Sequence, residues 1–250
     1  MRSKAVLVMT LLALSAGSFV YADEVVLWDN YPGDVLQNAA YNMSSERNTQ
    51  VVESTWIVDD VDLLQVEPGF DPGLATLTRL QWVGARQVGF SYSLADVVIL
   101  GSEGDGPADV KYLAEDLSYT FTDYDPDPNP DPDTQTYCGE LTFPEPISVA
   151  DLGLSDSHFY IGVRLVGDGY QQGRNYFVTS SIDETVRGRT QGYAKGTVFG
   201  APDWTPASEV WYGYSVPDNF EFAFRLWAVP EPGSLALLLV GGGLLLVRKR

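Results

Sequence analysis

The residues able to do chemistry in this chain of 250 amino acids are overwhelmingly carboxylates: 34 Asp and Glu stand against 15 Lys and Arg and a single histidine. Two carboxylates on either side of a glycosidic bond can act as acid and base, so glycoside hydrolase or lyase chemistry is open to such a chain. The sequence does not show which two converge. A zinc centre draws on Cys, His and carboxylate ligands, and His158 with Cys138, the only cysteine, falls short of the usual set. No Gly-x-Ser-x-Gly elbow surrounds any serine. The segment Gly101-Ser102-Glu103-Gly104-Asp105-Gly106 is acidic, repels phosphate, and reads as part of a turn running to Pro107. No catalytic residue, cofactor or metal site is therefore assigned.

Two further segments bear on ligands. Asp125, Asp127, Asn129, Asp131 and Asp133 offer the hard oxygens that Ca²⁺ prefers, but Pro126, Pro128, Pro130 and Pro132 hold the run extended, against the curl a calcium loop needs. A solvated, mutually repelling loop is expected. Trp204 and Trp211, with Tyr212 and Tyr214, lie among turns and short strands, where flat aromatic faces can stack on sugar rings. These two tryptophans are the candidate sugar contacts.

The elements that must position these residues have period two. In the run His158 to Val166, Phe159, Ile161, Val163 and Leu165 share one side, leaving His158, Tyr160 and Arg164 on the presumed solvent side. Leu117, Tyr119 and Phe121 alternate with Ser118, Thr120 and Thr122, and Phe220, Phe222, Phe224 and Leu226 alternate with Glu221, Ala223 and Arg225. Weaker strand signals cover 50–54, 56–64, 75–83, 95–100, 135–143, 176–179 and 209–214, making about ten strands. Cys138 falls in one of them, as a small buried hydrophobe. Gly, Pro, Asp and Asn clusters such as 67–73 separate the strands, and only 34–42 suggests a helical turn or two. The pattern predicts an all-β chain folded as a single β-sandwich, jelly-roll in type, because two stacked sheets give each strand a face to bury.

The two ends carry addresses. Arg2 and Lys4 precede an apolar stretch from Ala5 to Val20, and Val20-Tyr21-Ala22 is a small-x-small cleavage site, so residues 1–22 read as a signal peptide cut between Ala22 and Asp23. With no second cysteine to form a disulfide, the exported domain, 23–228, must rest on its hydrophobic core. Setting aside five bases and one acid in the end segments leaves 33 acids against 10 bases, a net charge near −23. Such a surface repels nucleic acid and suits cations or neutral sugars.

After the last strand come Val229-Pro230-Glu231-Pro232-Gly233-Ser234, an uninterrupted apolar run from Leu235 to Val247, and Arg248-Lys249-Arg250. From Gly233 the uncharged stretch makes a helix of about 22 Å, short for a hydrocarbon core of about 30 Å. The basic cluster would stop transfer at the cytoplasmic face. This segment, 229–250, resembles the PEP-CTERM sorting signal of Gram-negative bacteria, with Pro230, Glu231 and Pro232 as its motif. The resemblance implies a membrane processing enzyme, exosortase, as partner, a transient stay in the inner membrane, and delivery to the cell surface or its polysaccharide matrix. The domain itself resembles the β-rich ectodomains of such proteins in Asp59-Asp60-Val61, Leu80-Gln81-Trp82 and Phe222-Ala223-Phe224-Arg225-Leu226. The expectation is a non-enzymatic surface or matrix protein, with carbohydrate binding as its first specific activity; the alternative is a carbohydrate-active enzyme using a carboxylate pair.

Overall fold

A computed structural model describes residues 23–30, 42–49, 54–66, 71–89, 92–123, 134–155, 157–167, 175–181, 188–210 and 220–230. The expected signal peptide, most of the acidic proline run, Trp211 and the expected sorting tail beyond Pro230 lie outside these residues.

The chain forms two sheets packed face to face, a β-sandwich. The first is built on β5 (Ala75–Gln87), which pairs along one edge with β9 (Thr134–Ser148). Its other edge is shared by β15 (Phe224–Pro230) and β11 (Asn175–Ser181). β1 (Val25–Asp29) extends the sheet beyond β15, β8 (Thr120–Asp123) lies beside β9, and β2 (Asn42–Ser44) and β14 (Glu221–Phe222) pair with β11. The second sheet runs β13 (Ala201–Pro206), β12 (Tyr193–Gly196), β4 (Thr55–Asp62), β10 (His158–Gly167), β6 (Tyr92–Glu103), β7 (Gly106–Ser118). Every pairing is antiparallel except that of β3 (Glu46–Asn48), which lies parallel to the end of β10.

The core between the sheets follows from the alternation. Ile57 and Val61 of β4, Ala95, Val97 and Ile99 of β6, and Phe159, Ile161, Val163 and Leu165 of β10 meet Leu77, Leu80, Trp82, Tyr137, Leu141, Phe222, Phe224 and Leu226 of the first sheet. Side chains two apart share a face, so each strand contributes every second residue. Trp82 and Tyr137 lie across glycines on the neighbouring strand: Gly139 is the register partner of Trp82 and Gly84 that of Tyr137. A Cβ at either glycine would collide with the ring above it. The Trp82 indole N–H donates to the Tyr137 hydroxyl at 3.4 Å, which donates in turn to Asn175 Oδ1 at 2.7 Å.

Six local expectations are corrected. All ten residues of β10 are buried, including His158, Tyr160 and Arg164, because the tip of the β6–β7 hairpin, residues 188–190 and neighbouring side chains cover the outer face over this strand. Glu221 is buried and not on a solvent face, because β14 enters against β4. Residues Ala207–Val210 form a one-turn helix, α1, where a strand beginning at 209 was expected. Cys138 is partly exposed. The hairpin of β6 and β7 is also tighter than the sequence suggests, turning at Gly104 and Asp105 alone. The final strand does not stop at Ala228: Val229 pairs with Thr76 and Pro230 with Ala75. Proline is tolerated as the last residue of a ladder, where its missing donor breaks nothing further along.

Candidate functional site

β4 carries candidate chemistry on both sides of the second sheet. Its outward residues start with Trp56, whose register partner on β12 is Lys195. Trp204 of β13 lies on the far side of Lys195, with the ammonium 5.7 Å from its ring centroid. On the other flank Arg164 of β10 places its guanidinium carbon 4.0 Å over the Trp56 ring. Asp96 of β6 ends the row, accepting from Arg164 Nε at 2.7 Å. Across five strands the outer face thus reads acid, cation, aromatic, cation, aromatic.

Beneath this row lies a small second core of Val58, Val98, Leu100 and Tyr160, against which Trp56, Tyr193 and Trp204 pack while remaining partly exposed. The tip of the β6–β7 hairpin folds over one end, where the Asp105 carbonyl accepts from the hydroxyls of Tyr160 at 3.0 Å and Tyr193 at 2.6 Å. The other end is fixed by charge. Asp96 also accepts from Arg47 at 2.7 and 2.9 Å and from the backbone N–H of Asp116 at 2.9 Å. Asp116 sits at φ +59° in a bulge of β7, which is what turns its N–H toward Asp96. Burial alone would raise the Asp96 carboxyl, but the bonds from Arg47, Asp116 N–H and Arg164 outweigh it and hold it below its ordinary value. Among the described residues Lys195 has no carboxylate partner, so its charge faces outward between two indoles.

The second feature lies at the edge of β4. β12 covers that edge only as far as Val58, and β14 of the first sheet arrives at Asp59. Here Asp59, Asp60 and Glu221, all buried, bring one carboxyl oxygen each to within 4.8 Å of one another. Asp59 Oδ2 accepts from Phe222 N–H at 2.6 Å and its Oδ1 from Asp60 N–H at 2.9 Å. Asn30, just after β1, donates through Nδ2 to Glu221 at 3.1 Å and to Asp59 at 3.4 Å. Asp60 Oδ2 is held by His158 Nε2 at 2.7 Å and by the N–H groups of Arg189 at 2.7 Å and Thr190 at 3.3 Å. Burial, and then the negative charge of Asp60, push the Asp59 carboxyl well above its ordinary value. Glu221 is raised for the same reason, with Asp59 and Asp60 both adding to its burial.

Of the residues singled out from sequence, Trp204 is in the outer row, and Trp211, Glu231, Pro232, Arg248, Lys249, Arg250 and Ala22 lie outside the described residues. Asp23 is exposed, and Pro230 closes β15. Sequence reasoning missed Trp56 and Lys195, whose partnership with Trp204 depends on register. Asp59 and Asp60 were noticed only as a likeness. His158 is a buried hydrogen-bonding partner of Asp60 and not the solvated side chain expected; the hairpin tip and residues 188–190 close over its face.

Comparison of the chain with protein-family models, with curated proteins and with solved structures gives no match in any of the three.

Proposed function

We propose that this chain is an exported, non-enzymatic surface or matrix protein that binds polysaccharide along the outer face of its second sheet. The observation that carries the reading is the row Trp56, Lys195, Trp204. Two indoles on strands two apart lie about 10 Å from each other, and a cation sits between them. Aromatic faces take the apolar faces of sugar rings, and the ammonium takes their hydroxyls. On a domain near −23 the surrounding charge repels polyanions, acidic glycans and nucleic acid alike, so a neutral glycan stacked on the indoles and hydrogen-bonded to the ammonium is the fitting ligand.

Delivery follows from the ends of the chain: a signal peptide cut between Ala22 and Asp23, then a stay in the inner membrane until an exosortase-type enzyme acts at Pro230, Glu231 and Pro232. The destination is the surface or matrix of a Gram-negative cell. The sandwich is read as jelly-roll in type, supported by a chain that crosses between the sheets repeatedly, from β2 to β3, β4 to β5, β5 to β6, β7 to β8, β9 to β10, β10 to β11, β11 to β12 and β13 to β14. The enzyme alternative loses support from the burial of the three carboxylates that converge, since a glycosidic bond must reach its acid and base.

The test is an array of neutral and acidic glycans probed with the full chain and with Lys195→Ala and Trp204→Ala. Retention of a glycan by the parent chain is expected to fall at least tenfold in Trp204→Ala. Lys195→Ala should weaken the same glycan less, since the ammonium supplies one polar contact beside the ring stacking, and acidic glycans should be retained less than neutral ones by all three proteins. Equal retention by all three proteins, or none by the parent, overturns the reading.

A further inference from the structure

The buried group at the edge of β4 goes beyond any carbohydrate reading and does not depend on it. Three carboxylates from two sheets converge in a place closed to solvent: Asp59 and Asp60 have no exposure and Glu221 is 4 % exposed. Among the described residues no Lys or Arg pairs with Asp59 or Asp60. Like charges that close cannot all remain ionised out of water unless a positive charge joins them.

A second observation, independent of the acids, points to what joins them. Asn30 is 4 % exposed, and its side-chain oxygen has no hydrogen-bond partner although its amide nitrogen touches two of the three carboxylates. Buried polar oxygens rarely go without a partner. A half-turn of the Asn30 carboxamide gives up those two hydrogen bonds and turns the oxygen toward the carboxylates, an arrangement that a cation between them makes favourable. Asp60 Oδ1 is likewise buried without a hydrogen-bond partner, while Oδ2 is held by His158 and two backbone N–H groups. The arrangement leaves one oxygen of Asp60 for a ligand and fixes the other from behind, as outer partners do at metal sites.

We propose that Asp59, Asp60, Glu221 and Asn30 bind one Ca²⁺ ion, which ties the second sheet through β4 to the first through β14 and the end of β1. All the ligands are hard oxygens, so the site suits the Ca²⁺ and Mg²⁺ class, and the imidazole of His158 is spent on Asp60. Ca²⁺ is chosen over Mg²⁺ because Mg²⁺ keeps several of its waters in strict octahedral geometry, which a sealed site accommodates poorly. Ca²⁺ accepts bidentate carboxylates in irregular cages.

The experiment uses the full chain in mild detergent, stripped with a chelator, then titrated with Ca²⁺ alone, with Mg²⁺ alone, and with NaCl at matched ionic strength. After desalting, one Ca²⁺ per chain should remain by elemental analysis. Its addition at about 100 times the dissociation constant should raise Tm by roughly 5–10 °C, and Mg²⁺ should do less. Asp59→Asn and Glu221→Gln keep the shape and remove a buried charge, so both should fold, lose the retained ion and lose the Tm response. Asp127→Asn with Asp131→Asn, in the acidic proline run, should leave ion and response unchanged. No retained ion and no Ca²⁺-specific shift in the parent chain would falsify the proposal; so would a response that survives in both amide variants or disappears with the loop substitutions.

Discussion

His158 Nε2 lies 2.7 Å from Asp60 Oδ2, and both side chains are wholly withdrawn from solvent. The pair joins β10 to β4 beside their backbone ladder, in which His158 is the register partner of Asp62 and Tyr160 that of Asp60. Replacing His158 by Ala leaves a buried carboxylate short of one donor, at a cost of about 1–3 kcal/mol. Gln at this position reaches with an N–H and should recover part of the loss. Urea unfolding midpoints of the two variants check the order: parent, then Gln, then Ala.

Asp96 predicts how the fold responds to acid. Its native carboxyl lies below the ordinary 3.8. The stabilisation it gives with Arg47 and Arg164 is therefore complete above that value and is lost as pH falls through the lower native one. Asp96→Asn should cost about 3 kcal/mol at neutral pH, since it leaves the buried Arg164 without its main partner. The same variant should have a flatter stability curve below pH 4, where the parent is losing what the variant never had. Denaturant melts at neutral pH and at about pH 3 compare the two.

Gly188 is required where it stands. It has φ +107°, and a Cβ there would run into the Asp60 carboxylate. Gly188→Ala should destabilise by about 1–3 kcal/mol from backbone strain and displace the N–H groups of Arg189 and Thr190 from Asp60. Thermal melting gives the first effect. Loss of slow exchange at those two amides gives the second.

At the C-terminus, replacing Pro230, Glu231 and Pro232 by Ala leaves the apolar run and the basic end in place. Under the proposed sorting reading the variant should insert but stay full length in the inner membrane, while the surface form of the parent should lack Leu235 to Arg250. Intact mass of the surface and membrane forms decides, in a host that carries the processing enzyme. A parent surface form still ending at Arg250 would mean that the tail is a plain anchor.

The strongly alternating strands were legible because each has one apolar face: Phe159, Ile161, Val163 and Leu165 are in the core as expected. The opposite face of the same strand was misread, since nothing in the order His158, Tyr160, Arg164 says that a hairpin tip and residues 188–190 will cover it. β7 went unread for the opposite reason, except for Leu117 and Ser118, which begin the expected run to Thr122 that the structure divides between β7 and β8. As an edge strand its faces are largely exposed, including Val110 and Leu113, so it has no clean apolar period. The buried acidic group was beyond reach because its members belong to different sheets, and Asp59 meets Phe222 N–H 163 residues away. Trp204 was noticed for its chemistry, but its neighbours Lys195 and Trp56 are fixed by a ladder that one sequence does not reveal.

Among the described strands β1 pairs with β15 alone, so the first strand of the domain is held by the last. Trp28, fully buried on β1, faces its register partner Leu226 across that seam. A chain made N-terminus first must therefore keep Val25–Asp29 waiting until Phe224–Pro230 has followed. Closure over so long a loop is slow compared with local pairing. β1 can close onto the first sheet only after Phe224–Pro230 has been made, and a chain interrupted anywhere before Phe224 would keep Val25–Asp29 without its partner strand.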